Sequence, residues 1–226
     1  MSRPRVKICG LTRAKDAGLA VRLGADAIGF VLWPRSPRAV SADEAATIAR
    51  SLPAFVTRVG VFVDASPEEV GRLVAAIGLD VAQLHGDERA ADYTGAARSL
   101  VKVVALGRDA DVDAAIGLPA DVTVLVDAVD RDRRGGTGAR ADWARAARVA
   151  RARPVILAGG LSAADVGEAI SLVGPWAIDV SSGVEDRPGI KSGEKLRALF
   201  AAVAAAAAPG HRPAGPTRRE DAWGQG

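Results

Sequence analysis

The chain has 226 residues, 49% of them hydrophobic and 25% charged, a balance that excludes a fibrous or disordered chain and fits an ordinary globular protein. A single core can grow to roughly 250 residues before a chain splits, so one domain is expected. The 30 basic residues are interspersed with 27 acidic ones for a formal net charge of +3, and with no basic stripe nucleic acid is not an expected partner.

Cys9 is the only cysteine, which removes any intrachain disulfide and fits a reducing compartment. The opening Met-Ser-Arg-Pro-Arg-Val-Lys has no apolar signal-peptide core. The alanine-rich run from Ala201 to Ala208 is far short of the roughly 20 apolar residues that cross a bilayer. A cytoplasmic protein with no membrane partner is expected.

In chain order, eight short runs rich in Val, Ile and Leu read as strands: Arg5 to Cys9, Ala27 to Leu32, Thr57 to Val63, Val81 to Leu84, Val101 to Ala105, Val122 to Asp127, Pro154 to Leu157 and Trp176 to Val180. Near-continuous apolar runs are what parallel strands buried on both faces require. Helices are predicted between them. Ser41 with Glu44, and Ser66 with Glu69, have capping-box spacing, Pro67 fits a first helical position, and Ser162 with Asp165 is a weaker start signal. Eight strand–helix pairs, at about 25 residues each, predict an α/β chain folded as a single (β/α)8 TIM barrel over residues 1–208. A doubly wound open sheet shares the alternation and is the structural rival. From Pro209 to Gly226 the composition turns to Gly, Pro, Arg and scattered polar residues, which predicts a disordered tail over 209–226.

Only two histidines occur, and His211 lies in that tail, so a zinc site or a hydrolase triad lacks its residues and no metal is expected. No P-loop appears. Gly136, Gly138 and Ala141 match a dinucleotide fingerprint formally, but they stand well beyond Asp127 rather than directly after the strand, so the segment reads as a loop.

In a barrel, active-site residues lie at the C-terminal ends of strands or in the loops that follow. There the sequence puts Cys9 after the first strand, Arg35 and Arg38 after the second, Gln83 and His85 around the end of the fourth, and Asp127 at the end of the sixth. Gly159 and Gly160 after the seventh strand, and Ser181, Ser182 and Gly183 after the eighth, offer backbone N–H groups to an anion. That arrangement points to a phosphorylated small molecule. Each residue also has a plain alternative: Cys9 as a small hydrophobe, Asp127 in a structural ion pair, His85 orienting a loop, Arg38 as a solvated charge. Their joint placement on one rim is what favours a site.

The motifs Lys7-Ile8-Cys9-Gly10-Leu11-Thr12, Ser36-Pro37-Arg38, Val59-Gly60-Val61-Phe62-Val63, Gln83-Leu84-His85-Gly86, Val126-Asp127, Gly135-Gly136-Thr137-Gly138, Leu157-Ala158-Gly159-Gly160-Leu161 and Asp179-Val180-Ser181-Ser182-Gly183-Val184-Glu185 closely resemble, in this order, the phosphoribosylanthranilate isomerase family of tryptophan biosynthesis. The likeness runs from Val6 to about Leu199. It implies an Amadori rearrangement of N-(5-phosphoribosyl)anthranilate to the deoxyribulose phosphate, with no redox cofactor and no metal. By the same resemblance Asp127 protonates the furanose oxygen and Cys9 removes the proton from sugar C2. Arg38 grips the anthranilate carboxylate, and Gln83, His85, Gly136 and Asp179 border the substrate. Gly159, Gly160, Ser182 and Gly183 hold the phosphate.

A general acid must hold a proton and a general base must lack one near the working pH. Thiolate character is therefore expected at Cys9, helped by Lys7, which shares its side of the strand. The chain departs from the family pattern at Gly138-Ala139-Arg140-Ala141-Asp142-Trp143, where the family commonly has Gly-Lys-Thr-Phe-Asp-Trp. Arg140 stands one residue beyond that lysine. The charged segment Asp130 to Arg134 reads as a loop over the substrate.

A synthase or epimerase barrel would bring more catalytic lysines, metal ligands or paired acids to the strand ends than this chain has. A non-catalytic metabolite-binding barrel would need neither Cys9 nor Asp127. An isomerase that also takes the histidine-pathway aminoaldose remains open, and so does the choice between monomer and homodimer.

Overall fold

The computed structural model describes residues 3–127 and 142–207. The predicted Gly136 site, the Asp130 to Arg134 loop, Arg140 and the tail all fall outside them. Eight parallel strands close on themselves in sequence order: β1 (Arg5–Ile8), β2 (Ala27–Val31), β3 (Thr57–Phe62), β4 (Val81–Leu84), β5 (Ser99–Ala105), β6 (Val122–Asp127), β7 (Val155–Leu157) and β8 (Ala177–Val180). Closure is made by β1 on β8, with Lys7 opposite Asp179 and Ile8 opposite Val180. The open-sheet rival is thereby excluded.

Side chains alternate along each strand, because successive Cβ atoms point to opposite faces. Val6, Ile8, Ile28, Phe30, Leu84 and Val126 point outward into one large apolar layer shared with the helices. The inward set is smaller: Val101, Leu125, Ile156, Ala158 and Ala177 fill the barrel. Nearer the C-terminal rim come Cys9, Val31 and Val61, with Trp33 packed against them. Lys7, Cys9, Gln83, Asp127 and Asp179 fall on the inward phase of the same alternation.

Among the described residues seven α-helices cover the outside: α1 (Ala14–Leu23), α2 (Ala42–Ser51), α3 (Pro67–Ile77), α4 (Asp109–Ile116), α5 (Trp143–Ala152), α6 (Val166–Val173) and α7 (Gly193–Ala207). The Ser41 box is reciprocal, since Ser41 Oγ accepts from the Glu44 N–H and Glu44 Oε2 accepts from the Ser41 N–H. Ser66 caps α3 through the Glu69 N–H, with Pro67 at the first position. The Ser162 signal needs correction: Asp165, not Ser162, occupies the cap of α6, and its carboxylate accepts from the Ser162 N–H. The expectation of eight helix pairs also fails at one place. Between β4 and β5 the crossover is only a 3-10 turn, Ala90–Tyr93, because Gly86, Thr94 and Gly95 leave no uninterrupted helical stripe in that short segment.

Sequence reading missed a small antiparallel hairpin after β8, formed by β9 (Glu185–Arg187) and β10 (Ile190–Lys191). It is tied to α1, because the buried Asp16 carboxylate accepts from the Lys191 N–H at 3.0 Å while also pairing with Arg13. The hairpin thus brings two charged side chains, Glu185 and Lys191, to the rim.

Candidate active site

One cavity opens at the C-terminal ends of the strands, and most of the predicted site residues line it: Cys9, Arg38, Gln83, His85, Asp127 and Asp179. The glycine loops form the opposite wall through Gly159, Gly160, Ser181 and Ser182. Gly159 and Gly160 have φ of 91° and 69°, a left-handed pair that side chains resist and that turns the backbone towards the cavity. Gly183 is not part of the lining. It lies behind it, where a Cβ would stand 2.0 Å from the Leu161 carbonyl oxygen. Its role is to let the loops after β7 and β8 touch.

On the β4–β6 side, Gln83 Nε2 lies 3.3 Å from His85 Nδ1, and His85 Nε2 lies 3.4 Å from Asp127 Oδ2. The two contacts hold the imidazole between an amide and the acid. Behind them the buried Glu88 accepts from the Asp64 and Gly86 N–H groups and pairs with Lys102, which donates to the Gly86 carbonyl. The turn carrying His85 is therefore fixed from beneath.

Arg38 follows β2 and is held by Glu185, with Nε and Nη2 both donating to its carboxylate at 2.7 to 3.1 Å. Glu185 also pairs with Lys191 at 2.7 Å and accepts from the Gly189 N–H. Burial works against the charge on Glu185, but its bonds to Arg38 and Lys191 outweigh it and hold the carboxyl below its ordinary value of 4.5. Sequence reading quoted Glu185 only as part of a motif. The signal that could have found it is a carboxylate directly after the last strand, closing the run Asp179-Val180-Ser181-Ser182-Gly183-Val184-Glu185.

The Cys9 environment corrects an expectation. Burial pushes the thiol above its ordinary value of 9.0, and the Asp179 carboxylate adds to this against the opposing pull of Lys7 and Lys191. The free protein thus favours the thiol over the thiolate. Lys7 sits beside the sulfur as expected, but it is ion-paired with Asp179 at 2.9 Å, both side chains being less than a tenth exposed. Burial works against the Lys7 ammonium, yet Asp179 and Cys9 together keep its affinity for the proton above ordinary.

Among the described residues no group of three or more His, Cys, Asp and Glu is arranged to hold a metal ion. Nor is any helix there long and apolar enough to cross a membrane.

A closed parallel barrel with a thiol, an acid and a clamped arginine facing two glycine-turned loops belongs to the class of (β/α)8-barrel enzymes acting on small anionic molecules. Comparison with known proteins narrows the class. Residues 6–202 match the profile of the family described as N-(5'phosphoribosyl)anthranilate (PRA) isomerase. An N-(5'-phosphoribosyl)anthranilate isomerase of Pseudomonas fluorescens is 46% identical over 204 residues, which is 90% of this chain and 100% of that protein. The solved phosphoribosyl anthranilate isomerase of Thermus thermophilus superposes with a TM-score of 0.81 at 44% identity, covering 89% of this chain and 98% of that one. A further solved family member, in complex with reduced 1-(o-carboxyphenylamino)-1-deoxyribulose 5-phosphate, gives 0.79 at 34% identity over 89% of this chain and 99% of its own. The chain belongs to the phosphoribosylanthranilate isomerase family.

Proposed function

We propose that this protein catalyses the Amadori rearrangement of N-(5-phosphoribosyl)anthranilate to 1-(2-carboxyphenylamino)-1-deoxyribulose 5-phosphate, the aldose–ketose step of tryptophan biosynthesis, in the cytoplasm and as a monomer or homodimer. The observation that carries the reading is the placement of Cys9 and Asp127 on one cavity with Arg38 and the glycine loops.

Asp127, oriented by His85, gives its proton to the furanose ring oxygen. The ring opens to the protonated Schiff base. Cys9 then removes the C2 proton, and the electron pair flows to the Schiff-base nitrogen to form the enolamine. Return of that proton to C1, with loss of the C2 hydroxyl proton, gives the ketone, and the hydroxyl proton makes good the one Asp127 gave up. Hydrogen is moved from C2 to C1 and no electrons leave the substrate, so the chemistry balances without a redox cofactor.

Binding follows the charges. Gly159, Gly160 and Ser182 offer backbone to the phosphate, with Gly183 holding their loops together, while Gln83 and Asp179 border the sugar. Gly136 would border it too, from outside the described residues. Arg38 has committed one edge to Glu185, so the substrate carboxylate is read by its Nη1 end. Two cations, Arg38 and Lys191, stand against one carboxylate here, a balance suited to a monoanionic carboxylate rather than to a second, dianionic phosphate. This favours the anthranilate substrate over the histidine-pathway aminoaldose.

The test is turnover of freshly made phosphoribosylanthranilate, followed as loss of its fluorescence. Conversion to the ketose supports the reading. Tight binding of a reduced product analogue without conversion would replace it with a non-catalytic binding barrel.

A further inference from the structure

Cys9, which the proposed function needs as a base, is kept a thiol first by burial and then by the Asp179 carboxylate, against the opposing pull of Lys7 and Lys191. Six charged or titratable side chains are disposed around the sulfur: Lys7 from β1, Asp179 from β8, Lys191 from β10 and Arg38 from the loop after β2, with His85 and Asp127 across the cavity. Lys7 and Asp179 are locked directly to one another beside it, as His85 and Asp127 are across the cavity. Gly29 on β2 makes the room, since a Cβ there would stand 2.9 Å from Cys9 Sγ and 3.1 Å from Lys7 Cε.

Asp179 is half satisfied. Its Oδ2 takes the Lys7 ammonium, while Oδ1 is buried and accepts no hydrogen bond among the described residues. A buried carboxylate oxygen without a donor is costly, because nothing replaces the water it lost. It sits on a residue that lines the cavity. A polyhydroxylated ligand brings the missing donor.

We propose that Lys7 and Asp179 form a substrate-operated switch, in which a sugar hydroxyl donating to Asp179 Oδ1 draws the carboxylate's charge away and lets the Lys7 ammonium hold Cys9 as thiolate. The proton leaving the sulfur passes to solvent through the open mouth of the cavity. Asp179 is then a binding residue and Lys7 a positioning residue acting through Cys9. The enzyme keeps an unreactive thiol until substrate arrives. This rests on the isomerase reading for the role of Cys9, but it has its own observable.

The single cysteine makes the S–H stretching band of the whole protein a report on Cys9 alone. The measurement is that band, together with calorimetric binding of the reduced product analogue in buffers of different ionisation enthalpy. It is made at about pH 8, where the ligand phosphate, with a second pKa of about 6, is already dianionic. The switch predicts an S–H band in the free protein, its loss in the complex, and release of about one proton on binding that Cys9→Ala abolishes. Lys7→Met should keep the band in the complex. Asp179→Asn should lose it without ligand, and the wild-type result stands if either variant fails to fold. A band that persists in the wild-type complex, or is absent from the free protein, overturns the switch. If that happens while the wild type still converts substrate, the isomerase reading survives.

Discussion

Gly183 and Leu161 touch so closely that a single methyl group between them would meet the Leu161 carbonyl oxygen at 2.0 Å. The contact joins the loops that follow β7 and β8. Gly183→Ala should force them apart, and a displacement of about 1 Å can cost on the order of a hundredfold in rate. Steady-state kinetics should show that loss in kcat/KM, with weakened inhibition by inorganic phosphate. Gly167, within α6, would have nothing within 4 Å of an added Cβ. Gly167→Ala should therefore leave activity alone and add about 0.4–1 kcal/mol of stability, seen as a higher Tm.

The Arg38–Glu185 clamp bears on both binding and stability. Arg38→Lys keeps the charge but loses the fork, and each lost charge-assisted hydrogen bond is worth about 1.5–3 kcal/mol, or roughly ten- to a hundredfold in KM. Comparing KM with kcat checks this, since the change should fall mainly on KM.

Glu185 also sets a pH dependence of stability. Its carboxyl is held below its ordinary 4.5, so the folded state favours the charged form. The contribution is fully present above pH 4.5 and is lost as the pH falls through the depressed value. Thermal melts across that acidic range should show wild type losing more stability than Glu185→Gln.

For catalysis, kcat/KM reports the free enzyme and kcat the complex. Because burial and Asp179 keep Cys9 a thiol in the free protein, kcat/KM should climb with a limb above the ordinary 9.0. The limb in kcat should lie at lower pH. Coincident limbs would show that binding does not change the thiol.

Ser41→Ala removes the acceptor for the Glu44 N–H and one arm of the reciprocal cap. About 1 kcal/mol of stability should go with it, with kcat/KM unchanged. Chemical denaturation beside the activity assay measures both.

The strands were legible because parallel strands buried on both faces must be apolar along their whole length. Val81–Leu84 and Val122–Asp127 were found at their observed limits. The rim was legible for a related reason: Cys9, His85 and Asp127 are polar or reactive residues where an apolar run stops. What escaped was set by partners remote in sequence. The Lys7–Asp179 pair spans 172 residues and the Arg38–Glu185 clamp 147, and no local pattern reveals such a meeting. The Cys9 expectation fails because Lys7 is visible two residues away, while the burial of the thiol, the larger effect, and the opposing Asp179 arrive only when the barrel closes. The crossover after β4 was over-read as a helix because the barrel pattern was extended over a segment whose glycines interrupt it.

The isomerase assignment and its two catalytic roles stand or fall together on the rate of phosphoribosylanthranilate conversion by the wild type beside Cys9→Ala and Asp127→Asn, with folding verified by their melts. Acid–base groups typically contribute about a hundredfold to ten-thousandfold. Ready conversion by the wild type is expected, with losses on that scale in both variants and binding of the reduced product analogue retained. Near wild-type turnover in either variant would contradict the assignment of that residue, and a well-folded wild type that binds the analogue but converts nothing would contradict the isomerase itself.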